Sequence, residues 1–130
     1  MTQRVTFISD ASPDRALVQL LRERGFDVVI ETATVANEQL AAWAPDLLLL
    51  EIADASAGIK ILKRLRADQE LKQTTIVVIA EWGTGQATLA LSNGADAFER
   101  KPINASQLVV AVEQLLRPST LVMTAGVTED

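Results

Sequence analysis

Short apolar runs, Val5 to Ile8, Leu47 to Leu50 and Ile76 to Ile79, recur along this chain with helical patterns between them. That alternation is the strongest constraint on the fold. Strand, helix, strand in repetition calls for parallel strands with helices packed on the sheet, and the polar residues that end the strands then converge at one edge. Those residues are Ser9-Asp10, Glu51, Ile79-Ala80 and, after a shorter run, Lys101-Pro102. Function is to be sought where they meet.

The helix signals between the runs are explicit. Ser12 is expected to cap the first helix, with Pro13 at its first position; the helix runs to Arg24 with Ala16, Leu17, Leu20 and Leu21 on its apolar face, and Gly25 supplies a left-handed stop. Phe26 to Ile30 reads as the second strand. A weaker helix, Val35 to Ala44, stops at Pro45, and Leu47 to Ile52 reads as a central strand buried on both faces. The third helix, about Ile59 to Ala67, turns Ile61, Leu62 and Leu65 inward and Lys60, Lys63, Arg64 and Arg66 outward as a solvated face. Thr75 to Ala80, a helix from Gly85 to Asn93, and a strand from Ala97 to Glu99 follow. Asn104 and Gln107 make a capping-box pattern for a last helix that buries Leu108, Val109, Val112, Leu115 and Leu116 and ends at Pro118. Residues 1–117 form one domain in this reading. Residues 118–130, with an aperiodic apolar patch at Leu121-Val122-Met123, are expected as a tail or truncated linker.

Composition removes several classes of function. A formal net charge of −5 argues against a nucleic-acid backbone as partner. The absence of cysteine and histidine excludes disulfides, thiolate chemistry, imidazole acid–base catalysis and the usual zinc and haem ligands. Only carboxylate and carbonyl oxygens remain for a metal, a set suited to magnesium-type ions. No apolar stretch approaches the ~20 residues that span a bilayer, so a soluble, cytoplasmic protein without membrane contact is expected.

Local motifs then point to a family. Pro45-Asp46-Leu47-Leu48-Leu49-Leu50, Asn93-Gly94-Ala95-Asp96-Ala97-Phe98 and Lys101-Pro102, in this order and at these separations, resemble the receiver domain of two-component response regulators over about Arg4 to Arg117. The resemblance implies an α/β, flavodoxin-like (βα)5 doubly wound fold with a five-stranded parallel sheet in the order 2-1-3-4-5. It also implies a site in which an aspartate ending strand three accepts a phosphoryl group. Two acids after strand one hold Mg²⁺ there, and a lysine after strand five grips the phosphate. The chemistry suits the residue types, since carboxylates are hard ligands for Mg²⁺ and the metal and lysine offset charge on the transferring group.

Matched position by position, the chain departs from that pattern. Glu51 stands at the phosphoacceptor position, its carboxylate about 1.5 Å farther out than an aspartate's, a misplacement that near-attack geometry tolerates poorly. Glu51 could instead mimic a modified aspartate by meeting Lys101, or be a wet strand-end acid worth little. Ser9-Asp10 replaces the acidic pair, leaving one carboxylate for a weak or absent Mg²⁺ site, with Asp10 as a loop or cap residue the alternative. The family's switch hydroxyl falls at Ile79, or at Ala80 after a one-residue shift, and neither has one. Phe98 occupies the coupled aromatic position, or is plain core. The loop Ile52 to Gly58 is short and lacks the family's proline; Gly58 resembles its loop-closing glycine, and Asp54 lies too far along a flexible turn to substitute as acceptor.

The expectation is a degenerate receiver, a pseudo-receiver that is not an enzyme, has no cofactor or only weakly bound Mg²⁺, and acts by binding. Its partners would be a histidine kinase, an output domain or another receiver, with a homodimer possible. The docking candidates are Trp82, Gln86, Leu91, Arg100 and Gln107; packing over the altered pocket is the alternative for Trp82. Two other readings remain, a phosphorylatable receiver using Glu51 with weak Mg²⁺, and a flavodoxin-like binder of a small ligand. The second is weakened by the lack of a glycine-rich loop after strand one.

Overall fold

Successive strand residues point to opposite faces, and here both faces are covered. In the computed structural model, which describes residues 2–10 and 12–117, strand residues Val5, Phe7, Leu47, Leu49, Val77 and Ile79 join one apolar layer. Ile8, Leu48, Leu50, Ile76, Val78 and Ala80 join the other. The order along the chain is β1 (Arg4–Ser9), α1 (Arg15–Glu23), β2 (Asp27–Thr32), α2 (Asn37–Trp43), β3 (Leu47–Glu51), α3 (Ala55–Ala67), β4 (Thr75–Ala80), α4 (Thr84–Ser92), β5 (Ala97–Arg100) and α5 (Ala105–Leu115). All neighbouring strands are parallel, as the alternation of runs predicts, and the sheet order is β2-β1-β3-β4-β5, as the family resemblance implies.

Helices α1 and α5 close the first layer through Leu17, Val18, Leu21, Leu108, Val109 and Val112. Helices α2, α3 and α4 close the second through Leu40, Leu62, Leu65 and Ala90. Among the described residues only Thr6, Ser9 and Glu51 are buried polar or charged side chains. Two of those three lie at the strand ends, where the candidate site was expected.

Several boundaries need correction. The cap of α1 is Asp14, whose Oδ1 accepts the Leu17 N–H (3.1 Å), and not Ser12; Ala16 is exposed, and Val18 takes its place inward. Helix α3 starts at Ala55, four residues earlier than expected, because Asp54 accepts the Ala57 N–H (2.9 Å) and serves as N-cap. Gly58 is therefore a buried helical residue and not a loop closer, and Asp54 is no flexible turn. Leu115 is exposed at the end of α5, while Asn104 caps that helix as expected, accepting the Gln107 N–H (3.0 Å). Gly25 has the expected positive φ of 94°. Pro118 and the apolar patch Leu121-Val122-Met123 lie outside the described residues.

Candidate functional site

Sheet register sets the site. Ser9 pairs with Glu51 across β1 and β3, and Ala80 pairs with Arg100 across β4 and β5, so Lys101 emerges beside the end of β4. Its N–H donates to the Ala80 carbonyl at 3.0 Å. The strand ends enclose a cavity of about 250 Å³ lined by Asp10, Glu51, Ile52, Ala53, Ile79, Ala80, Glu81 and Lys101. A wider groove of about 890 Å³, lined by α1 and Ile30 of β2, shares none of these residues.

Inside the cavity Lys101 Nζ lies 2.7 Å from Glu51 Oε2, and Ser9 Oγ–H donates to Glu51 Oε1 at 3.0 Å. Both carboxylate oxygens are therefore held. Glu51 is only 7% exposed, which overturns the wet strand-end reading and leaves the paired one. Asp10 Oδ2 accepts the Ala53 N–H at 2.9 Å and so fastens the loop after β3. Ile79 and Ala80 are both buried and both line the cavity, so no hydroxyl is presented from β4 under either alignment.

The Lys101 ammonium titrates above the ordinary lysine range. The hydrogen bond to Glu51 is the main cause; partial burial opposes it, and the charges of Glu51, Glu81 and Asp10 add to it. Glu81, exposed on the rim, was not anticipated; its only sequence signal is its place directly after the β4 run. A raised lysine pKa means that the pair contributes its full stability below the unfolded lysine pKa and loses it as pH rises through the raised folded value. The stability gap between wild type and Lys101→Met, measured by urea unfolding, should thus stay constant through neutral pH and close only in the alkaline range. A gap that closes before the ordinary lysine range is reached would contradict this arrangement.

Residues 9–113 match the family profile of the response regulator receiver domain. The chain belongs to the response regulator receiver family. This receiver is 34% identical over 120 residues to the DNA-binding response regulator MtrA of Mycobacterium tuberculosis, an alignment covering 90% of this chain and 52% of MtrA. It is 28% identical over 121 residues to the phosphate regulon transcriptional regulatory protein PhoB of Escherichia coli, covering 90% and 53%. The receiver thus spans about half the length of these curated relatives. Among solved structures it superposes on a response regulator from Desulfuromonas acetoxidans with a TM-score of 0.77, at 20% identity over 88% of this chain and 96% of that one. The signal receiver domain of a LuxO repressor protein from Vibrio parahaemolyticus gives 0.75, at 21% identity over 96% and 98%.

The Mg²⁺ that such a receiver implies does not fit the donors present. Ser9 is neutral and its hydroxyl proton is directed at Glu51, Glu51 faces an ammonium at 2.7 Å, and Asp10 already holds a backbone N–H. That leaves Asp10, partly engaged, and Glu81, exposed on the rim, beside a fixed positive charge. Among the described residues no three acidic side chains come together to hold a metal ion, and the set is a poor cage for a divalent cation.

The remaining expected residues divide. Phe98 is partly buried against the second layer, its ring 5.8 Å from that of Trp82. Gln86, Leu91, Arg100 and Gln107 are exposed on α4, β5 and α5 as expected. Trp82 is not. It is 4% exposed and packs into the second layer, so it cannot be a surface anchor. Among the described residues no helix is long and apolar enough to cross a membrane.

Proposed function

We propose that this receiver works in two-component signalling as a phosphorylation-independent binding module. The Glu51 to Lys101 contact supports this reading most directly. It places inside the chain the anion-to-lysine bond that receivers otherwise form with a transferred phosphoryl group, and Ser9 engages the second oxygen, so that both are hydrogen-bonded and less nucleophilic. With no hydroxyl from Ile79 or Ala80 to follow a phosphate, even an added group would have no coupled response. The protein is then not an enzyme and needs no Mg²⁺. It acts in the cytoplasm by docking a histidine kinase, an output domain or another receiver, a second copy included, without contact to nucleic acid or membrane. The docking face is formed by Gln86, Leu91, Arg100 and Gln107. A cavity of about 250 Å³ lies below the usual ~300–1,000 Å³ of small-ligand sites, which counts against the ligand-binding alternative.

Mass measurement after incubation with acetyl phosphate and Mg²⁺ should give the unmodified protein. Titration with Mg²⁺ and then beryllofluoride should leave Trp82 fluorescence unchanged in a Trp43→Phe background. A gain of one phosphoryl mass, or a saturable change requiring both ions, would establish instead a phosphorylatable receiver that uses Glu51.

A further inference from the structure

Just past the rim of the cavity the chain turns inward at Trp82, and this one residue touches three segments. Its indole N–H donates to the carbonyl oxygens of Ile52 (2.9 Å) and Ala53 (3.2 Å), the two residues that follow Glu51. Its six-membered ring lies over Gly58 in the first turn of α3, so closely that any Cβ there would overlap it. Glycine is needed at that position for close approach. From β5, Arg100 Nη1 donates to the Trp82 carbonyl oxygen at 2.7 Å. The Arg100 guanidinium also stands 5.9 Å from the centre of the Phe98 ring, which in turn leans on the indole.

We propose that Trp82 is a built-in clasp that holds the segment after β4 against the segment after β3, whatever the state of Glu51. In a phosphorylatable receiver those two segments are drawn together by the phosphoryl group and the switch hydroxyl. Here an indole N–H and a ring seated on glycine make the connection permanently. The signalling consequence, a face of α4 and β5 presented in one conformation, rests on the phosphorylation-independent reading above. The clasp itself stands apart from it.

The test uses the two tryptophans of the ¹⁵N-labelled 130-residue chain as probe and control, since Trp43 is 40% exposed. In deuterium exchange the Trp82 indole N–H should exchange at least about a hundredfold more slowly than that of Trp43, as buried, doubly accepted donors do. Trp82→Phe keeps an aromatic side chain in the layer but removes the donor and the outer ring atoms that lie against Gly58. The amides of Ala57, Gly58 and Ala87, bonded at the starts of α3 and α4, should then exchange about tenfold faster, the loss of roughly one hydrogen bond. Equal indole rates in the wild type would overturn the clasp, as would unchanged amide rates in a folded Trp82→Phe protein. If that variant does not fold, the wild-type comparison decides alone. A beryllofluoride titration reads the state of Glu51 separately, so failure of one idea is not mistaken for failure of the other.

Discussion

Arg66→Ala is expected to destabilise the domain by about 3 kcal/mol, the sum of several charge-assisted hydrogen bonds worth ~1.5–3 kcal/mol each and partly replaced by water. The guanidinium leaves the last turn of α3 and forks three ways. Nε and Nη2 donate to the Gly94 carbonyl at 2.9 and 2.6 Å, Nη1 to the carbonyls of Lys72 and Thr74 at 2.8 and 2.6 Å, and Nη2 also meets Asp96 Oδ2 at 2.9 Å. Asp96 in turn accepts the Ile76 N–H at 2.8 Å, at the start of β4. One side chain therefore fastens α3, the turn before β4 and the turn before β5. For a domain of this size the loss corresponds to a fall in Tm of roughly 10 °C. Arg66→Lys should recover only part of it, because an ammonium cannot reproduce the planar fork. Urea unfolding that places Arg66→Ala within 1 kcal/mol of wild type would remove Arg66 from the framework.

The second large effect is a gain. Glu51→Asp alone should take up no phosphoryl group with a normal response, because Ser9 still lacks the second metal carboxylate and Ile79 still lacks a hydroxyl. Ser9→Asp, Glu51→Asp and Ile79→Thr together should move the protein from no detectable modification to Mg²⁺-dependent phosphorylation by acetyl phosphate. The register of β1 on β3 already sets positions 9 and 51 side by side, and Lys101 is in place. Ile79 is fully buried, so its change to threonine costs stability, about 1–3 kcal/mol for a hydroxyl in an apolar layer. The triple variant must be assayed where it remains folded. Full phosphorylation with a normal conformational response from Glu51→Asp alone would defeat the account of Ile79.

Much of this architecture is legible in the sequence because strand burial is written in consecutive residues. Leu47 to Leu50 can only be a central strand once helices flank it, and the positions of Glu51 and Lys101 follow from where the runs stop. The Glu51 to Lys101 meeting was one of two readings, and sequence could not choose between them. The decisive fact is that the Ser9 hydroxyl and the sheet register hold the carboxylate inside, and register is not written in either residue. The start of α3 was misplaced because Ala55, Ser56 and Ala57 carry no apolar period, so the one signal available was Asp54 acting as cap. Trp82 likewise had two readings, interface anchor or packing over the pocket, and the structure takes the second. A tryptophan after a strand end has no periodicity to report its direction, and its true seat depends on Gly58, 24 positions earlier in the chain, where the missing side chain makes room for the ring.

The three-residue chain from Ser9 through Glu51 to Lys101 has one further consequence. An acyl phosphate on an aspartate hydrolyses, so a receiver that carries one holds its message for a limited time and then resets. A carboxylate encoded in the chain has no half-life and nothing to remove it. On the function proposed above, the strength of the signal is fixed by how many copies of the protein are made and how quickly they are degraded, and control passes from modification to abundance.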